Sequence, residues 1–356
     1  MTGRYDEHDQ EHYERPRRRT RPRTKERPTY DDAVDGVVTT VDRGRFTLLV
    51  DGPAAGPAAG PADGPADGPV GGVVVWAVKA RPLGRKGGVV GDRVRVVGDV
   101  SGEDGALARI VEVRERTTTL RRTADDDDPV ERVIVANADQ LVVVTALADP
   151  EPRPRLIDRA LVAAFVSGMK PLLCLTKADL ADPETLLVTY RSLGVPWVVT
   201  RRGGDLTELR ERLAGRTSVL IGHSGVGKST LVNALIPSAH RDVGVVNAVT
   251  GRGRHTSTSA LMLALPPADG AHETAGGWIV DTPGIRSFGL AHVRPEDLIE
   301  AFPDLDEMTE DCPRGCTHGS DEPECGLDEA VARGEADPER VESFRRLLQA
   351  RSEPAY

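Results

Sequence analysis

Between residues 34 and 115 the chain alternates apolar and polar side chains in five short runs, Gly36–Val41, Phe46–Val50, Val73–Val78, Arg93–Val97 and Leu107–Val113. A period of two sends one set of side chains inward and the other outward, so each run reads as a half-exposed strand. Five short strands in one stretch suit a small barrel of the OB type. Past residue 130 the pattern changes. The runs Leu141–Val144, Leu172–Leu175, Val198–Val199, Ser218–Ile221 and Trp278–Val280 are continuously apolar and alternate with helical patterns. Such strands are buried on both faces, which predicts a mostly parallel sheet with helices on each side. From about residue 291 the pattern is helical. The reading is a multi-domain α/β chain: a barrel over 34–122, an α/β domain over 130–290 and a helical domain over 291–356.

Composition adds three points. The 356 residues carry a formal net charge of -10, which argues against wholesale nucleic-acid binding. The charge is uneven, however. Arg15, Arg17, Arg18, Arg19, Arg21, Arg23, Lys25 and Arg27 fall in a polar segment, 1–33, read as a disordered arm that is either a solvated tail or an electrostatic contact to RNA. Arg114, Arg116, Arg121 and Arg122 form a second basic cluster, and Asp125–Asp128 an acidic one. A Gly-Pro repeat from Gly52 to Gly72 has a period of four, which excludes collagen and reads as a flexible insertion in the barrel. No apolar run reaches the roughly 20 residues of a membrane span. The charged start lacks the apolar stretch of a secretory signal, so a soluble, cytoplasmic protein with reduced cysteines is expected.

The chemistry is concentrated in three motifs. Gly222-His-Ser-Gly-Val-Gly-Lys-Ser229 follows an apolar run and opens the helical pattern Thr230–Leu235, the context a phosphate-binding loop needs. Its glycines turn backbone N–H groups toward phosphate, Lys228 reaches the β- and γ-phosphates, and the Ser229 hydroxyl ligates Mg²⁺. Gly222, His223, Ser224, Gly225, Val226, Gly227, Lys228, Ser229 and Thr230 are therefore the expected phosphate-side residues. Asp281-Thr-Pro-Gly284 ends another strand-like run; Asp281 would hold Mg²⁺ through water and the Gly284 N–H would meet the γ-phosphate. Thr176-Lys-Ala-Asp179 resembles the guanine-reading motif of GTPases. The ionised Asp179 can accept from guanine N1–H and N2–H₂, a donor pair that adenine lacks. Thr176 and Lys177 complete this side of the site. The base reader precedes the phosphate loop here, whereas it usually comes last. The order is that of a circular permutation, which preserves the site while moving the chain ends.

In this order, and with Ala136-Asn-Ala-Asp-Gln140, Ile157-Asp-Arg159, Gly251-Arg-Gly-Arg-His-Thr256 and a Cys/His cluster, residues 34 to 350 resemble the circularly permuted, ribosome-small-subunit-dependent GTPases, the RsgA/YjeQ family. The resemblance implies an OB barrel, a GTPase domain and a zinc-binding helical domain. It implies GTP hydrolysis to GDP, stimulated by the small (30S) ribosomal subunit, in late maturation of that subunit. The chain departs from the family at Thr176, where Asn is usual, and at His255-Thr-Ser-Thr258, where three threonines follow the histidine. The Ser-Ala guanine loop has Thr200-Arg201 as its nearest counterpart. Many GTPases place a water-orienting Gln after D-x-x-G. Here Ile285 stands there, so His255 is the expected catalytic group: a neutral imidazole with an ordinary pKa of about 6.5 can accept a proton from water. The switch hydroxyl that ligates Mg²⁺ is left open among Thr256, Ser257 and Thr258.

Cys312, Cys316, His318 and Cys325 offer three thiolates and an imidazole, a closed tetrahedral set for one structural Zn²⁺. The gaps between ligands differ from the family's by one residue at each end. Cys174 lies in an apolar run and reads as core. For RNA, Phe46 and Trp76 are the barrel's aromatic candidates, with Arg114, Arg116, Arg121 and Arg122 supplying charge. A monomer that binds GTP or GDP and small-subunit rRNA, with no membrane contact, is the resulting expectation. The competing classes are a P-loop ATPase or kinase, a nucleotide-gated binding protein with little hydrolysis of its own, and a permuted GTPase with another partner.

Overall fold

A computed structural model describes residues 30–50, 72–83, 88–123, 131–237, 260–267, 276–282, 290 and 292–352. The basic arm up to residue 29, most of the Gly-Pro insertion, Asp125–Asp128, His255, Thr256, Ser257, Thr258, Gly284 and Ile285 lie outside the described residues.

Strands β1 (Val34–Asp42), β2 (Arg45–Val50), β3 (Val73–Lys79), β4 (Arg93–Gly98) and β5 (Ala108–Val113) follow the five alternating runs to within two residues. They pair in the order β1-β2-β3-β5-β4, and β4 returns to β1. The barrel is therefore closed and leaves no free edge. The inward set is Val38, Phe46, Leu48, Val50, Val75, Ala77, Val94, Val96, Ala108 and Ile110, the alternate residues of each strand. Phe46 is thus core, only 2 % exposed, and offers no face to RNA. Trp76, on the outward parity of β3, stays half-buried. Two of the expected RNA-contact arginines are also engaged: Arg114 bonds Asp35 at 2.7 Å, and Arg116 clamps the buried Asp92 with two bonds of 2.7 and 2.8 Å.

An antiparallel pair, β6 (Thr119–Thr123) and β7 (Glu131–Ala136), leads into the α/β domain. There the strands β8 (Gln140–Ala146), β9 (Lys170–Thr176), β10 (Trp197–Val199), β11 (Thr217–Ile221), β12 (Leu261–Leu265) and β13 (Gly277–Asp281) lie in the order β10-β9-β8-β11-β13-β12. All neighbours are parallel except β12, which runs antiparallel to β13. Alternate residues of one strand enter different cores. Leu141, Val143, Leu173, Leu175, Val219, Ile221 and Val280 face helix α1 (Pro154–Val166) and the C-terminal helices. Val142, Val144, Leu172, Cys174, Leu220 and Ile279 face α3 (Thr207–Leu213) and α4 (Lys228–Leu235). A short helix, α2 (Glu184–Leu187), follows β9. Burial pushes the Cys174 thiol up to about 12, as suits a core residue.

The C-terminal part holds α5 (Pro295–Ile299), α6 (Pro303–Asp306), α7 (Gly326–Arg333) and α8 (Pro338–Ser352). Three of them begin on proline, whose fixed φ and missing N–H suit the first helical position. Phe302 of this part packs between Phe165 of α1 and Phe344 of α8, with ring centroids 4.8 and 5.4 Å apart. Among the described residues no helix is long and apolar enough to cross a membrane.

Candidate functional site

The phosphate loop joins β11 to α4, at the end of the sheet where the parallel strands finish. Its shape depends on glycine at two places. Gly227 has φ +95°, a left-handed conformation that L side chains adopt only with strain. At Gly222 the backbone passes so close to the Val144 carbonyl that any Cβ would collide with it. The side chains of Ser224, Ser229 and Thr230 are exposed, and His223 Nδ1 lies 2.8 Å from the Ser224 carbonyl.

Lys228 Nζ lies 2.8 Å from Asp281 Oδ1 as an ion pair and donates to the Thr282 carbonyl at 3.0 Å. The lysine that would meet phosphate and the aspartate that would face Mg²⁺ therefore neutralise each other. Each is mostly buried, with 14 % and 29 % of its side chain exposed. A phosphate would give Lys228 a second, mobile counter-charge, and Asp281 Oδ1, buried with no hydrogen-bond donor, is open to a further partner. Thr282 fixes this corner: its buried hydroxyl donates to the Leu220 carbonyl of β11 at 2.9 Å. The sequence reading passed over that residue, although a polar side chain after an apolar strand end was the available signal.

The base-reading motif sits against the same loop. Thr176 ends β9, and its hydroxyl lies 2.5 Å from the Val226 carbonyl and 3.3 Å from the Thr145 carbonyl. Threonine therefore ties this segment to the phosphate loop in place of the more usual asparagine. Lys177 has φ +57° and donates to the Asp149 carbonyl, which aims the following residues outward. Asp179 is exposed, free to accept from a base. Thr200 packs alongside: its N–H donates to the Leu175 carbonyl at 2.7 Å, and its carbonyl accepts from the Ala178 N–H at 3.2 Å. Thr200-Arg201 thus borders the Thr176–Asp179 segment. The structure brings together Thr176, Lys177, Asp179, Gly222 to Thr230 and Asp281.

The second cluster is compact. His318 Nδ1 lies 3.6 Å from Cys312 Sγ, 3.6 Å from Cys316 Sγ and 3.9 Å from Cys325 Sγ. All four ligand atoms fall within 4.8 Å of one another. A tetrahedral ion with bonds of about 2.3 Å to sulfur and about 2.0 Å to nitrogen separates N and S by about 3.5 Å. The donors fit such an ion. Burial lowers the His318 pKa, which keeps the ring neutral and able to ligate. Burial raises the Cys312 and Cys316 thiols, and the Gly326 N–H bond to Cys312 Sγ at 3.1 Å and the His318 N–H bond to Cys316 Sγ at 3.4 Å oppose that rise. Arg345 holds the loop by donating to the His318 carbonyl and, with two bonds, to Asp328.

Ala136–Gln140 and Ile157–Arg159 prove to be joints. Asn137 bonds Gly91 of the barrel and accepts from the Thr117 N–H, both at 2.9 Å. Ile157, Asp158 and Arg159 are all buried in α1; Arg159 donates to the Ala350 carbonyl of α8 at 2.9 Å, and Asp158 pairs with Arg346 at 3.4 Å.

Comparison with known proteins agrees with this geometry. The sequence model of the RsgA GTPase family matches residues 113–291. A protein of Azotobacter vinelandii named small ribosomal subunit biogenesis GTPase RsgA is 42% identical over 232 residues, 63% of this chain and 65% of that protein. A protein of the same name from Pseudomonas fluorescens is 39% identical over 256 residues, 69% of this chain and 71% of its own. The aligned part of this chain thus spans just under two thirds of the first of these relatives. Among solved structures, YjeQ from Thermotoga maritima superposes with a TM-score of 0.60 at 26% identity, covering 90% of this chain and 99% of that one. YloQ, described as a circularly permuted GTPase, shares the fold with a TM-score of 0.59 at 23% identity.

Proposed function

The chain belongs to the RsgA GTPase family, and from that premise we propose that it binds GTP, hydrolyses it to GDP and phosphate, and acts in late maturation of the small ribosomal subunit, which stimulates the hydrolysis. The observation that carries this reading is the junction of Thr176 with Val226, which sets a base reader against a phosphate loop although they are 50 residues apart in the reverse of the usual order. The exposed carboxylate of Asp179 selects guanine. Backbone N–H groups from Gly222 to Ser229 receive the phosphates, and Lys228 turns from Asp281 to them. Mg²⁺, when bound, would supply positive charge against the developing phosphate charge. Ser229, Asp281 and a hydroxyl among Thr256 and Thr258 are the residues that would hold it. His255 orients the attacking water, because Ile285 cannot hydrogen-bond it. The Cys312, Cys316, His318 and Cys325 site takes one structural Zn²⁺. We read the protein as a cytoplasmic monomer whose barrel and zinc domain meet rRNA.

The test is GTP turnover by the purified chain, alone and with isolated small or large ribosomal subunits, with ATP as control. Stimulation by the small subunit alone, lost in His255→Ala, is the expected result. Equal use of ATP would return the chain to the ATPase class. No stimulation by either subunit would remove the ribosomal assignment and leave the nucleotide site standing.

A further inference from the structure

At the opposite end of the sheet from the phosphate loop lies a cavity of about 330 Å³. It opens where β8, β9 and β11 begin, and its walls mix charge with apolar surface. Lys170, Arg212 and Arg216 contribute three cations; Phe165, Leu172 and Leu193 contribute apolar contact. The size falls within the range of small-molecule sites, about 300–1,000 Å³.

At its base is Gln140, a polar side chain only 2 % exposed. Its amide is fully used. Oε1 accepts from Arg216 Nη1 at 2.9 Å, and Nε2 donates toward Ser218 Oγ at 3.3 Å and the Arg212 carbonyl at 3.4 Å. A buried amide therefore holds one guanidinium nitrogen of Arg216 and leaves its remaining donors unassigned. Lys170 follows Gln140 across the sheet in the parallel register of β8 and β9. Among the described residues Lys170 and Arg216 face no carboxylate within ion-pair distance, and Arg212 has only an exposed, 3.7 Å contact with Glu208 on its own helix. Asp139, next to Gln140 in the chain, accepts from the Thr217 N–H through Oδ2 at 2.7 Å. The rim is braced from the C-terminal helix: Arg340 Nη1 donates to the Ser192 carbonyl at 3.0 Å, and the Ser192 and Ser343 hydroxyls lie 2.7 Å apart. The cavity thus presents a guanidinium positioned by the buried Gln140 and two further cations, all three exposed at its mouth, beside apolar wall residues.

We propose that this cavity is a second ligand site, distinct from the GTP site, that binds a small phosphate monoester of nucleotide size. Three cations match a phosphate dianion better than a single carboxylate, and the fork of a fixed arginine suits two phosphate oxygens. The apolar wall accepts the organic body. Gln140, the last residue of the Ala136–Gln140 segment, acts as a positioning residue for Arg216.

Titration calorimetry of AMP into the full chain, with and without excess GDP, tests the assignment. AMP is chosen because Asp179 rejects adenine. The expected result is one saturable AMP site, unchanged by GDP, competed by inorganic phosphate and not filled by adenosine. Lys170→Gln and Arg216→Gln should each weaken AMP binding at least tenfold while GTP turnover stays unchanged. Lys170 is exposed, so its variant keeps the test sound if Arg216→Gln folds poorly. Absence of saturable AMP binding would overturn the proposal. So would AMP binding abolished by GDP, which would place it in the phosphate loop, or AMP affinity indifferent to both substitutions.

Discussion

Replacing Arg346 by methionine tests how α1 is fastened to the C-terminal helix. Arg346 reaches Asp158 at 3.4 Å, the Thr189 carbonyl at 3.1 Å and Ser343 Oγ at 3.4 Å, and its guanidinium lies 5.2 Å from the Tyr190 ring centroid. The Asp158 side chain is 5 % exposed and that of Arg346 29 %. Methionine keeps most of the stem volume but removes the counter-charge, leaving the carboxylate only the Tyr190 hydroxyl as a partner. Breaking a buried ion pair from one side costs about 3–5 kcal/mol. The long separation and the partial exposure of the arginine put this case at the lower end, about 3 kcal/mol, on the order of a hundredfold in the folding equilibrium.

The pH dependence carries the sign of the mechanism. Burial already raises the Asp158 pKa, and Arg346 opposes that rise. Without the arginine the pKa climbs further. A carboxyl whose folded pKa lies above its unfolded value stabilises the fold when protonated. That contribution is complete below the unfolded value of about 3.9 and is lost as pH rises through the folded value. The deficit of Arg346→Met should therefore be largest at neutral pH and shrink on acidification. Asp158→Asn added to Arg346→Met should recover about 1–2 kcal/mol, because no charge is then left buried. Urea unfolding followed by tryptophan fluorescence reads all three. A deficit under about 1 kcal/mol, one that grows as pH falls, or a double variant no better than the single one would refute the account.

Thr176→Val removes the hydroxyl that meets Val226 and Thr145 while keeping the shape. The lost bond is worth about 1–2 kcal/mol, so GTP affinity measured by fluorescent-analogue titration should fall on the order of tenfold, whereas Thr176→Asn should restore the tie. Gly227→Ala must hold φ +95° with a Cβ, a strain of about 1–2 kcal/mol; it should weaken GTP binding by a similar factor and leave the C-terminal metal content unchanged. Chelation of Zn²⁺ should release one ion per chain and expose residues 307–326 to proteolysis, with far-UV circular dichroism of the α/β domain largely kept; Cys325→Ser should reproduce that digestion pattern without chelator.

The barrel and the parallel sheet were legible because their side-chain patterns are local and periodic. β6 was not: Thr119–Thr123 offers Leu120 as its one apolar residue between threonines and arginines, so it carries no alternation to read. Leu261–Leu265 is apolar without a period that separates strand from helix, and only pairing with β13 decides it. Phe46 was read as a surface aromatic although Leu48 and Val50 share its parity and both point inward. Counting arginines could not reveal that Asp35 and Asp92 engage two of them. The nucleotide motifs announced their residue types and order, whereas the Lys228–Asp281 pair and the Thr176–Val226 bond depend on strand neighbours. Asp158 and Arg346 are 188 residues apart, beyond any local pattern.

The permuted order explains where these long-range joints fall. The segment read as the first switch leads directly into β12, and β12 is the strand that meets the barrel, through Leu261 opposite Thr40 of β1. Asp281 and Thr282 close β13, and the chain then continues to Leu290, Leu298 and Phe302, which share one core with α1 and α8. In an unpermuted GTPase the exit after β13 would be an internal connection of the domain. Here it leads to the C-terminal helices, whereas the barrel enters through β6 and β7 and touches β12 from outside. A change at either strand end therefore bears on the barrel through the β12–β1 contact and on the C-terminal helices through the chain after β13. The half-buried Asn137 contacts fasten the barrel to the start of β8, and the buried Asp158 ties α1 to α8, so each flanking part has a polar joint to the α/β domain besides its contact through β12 or through the chain after β13.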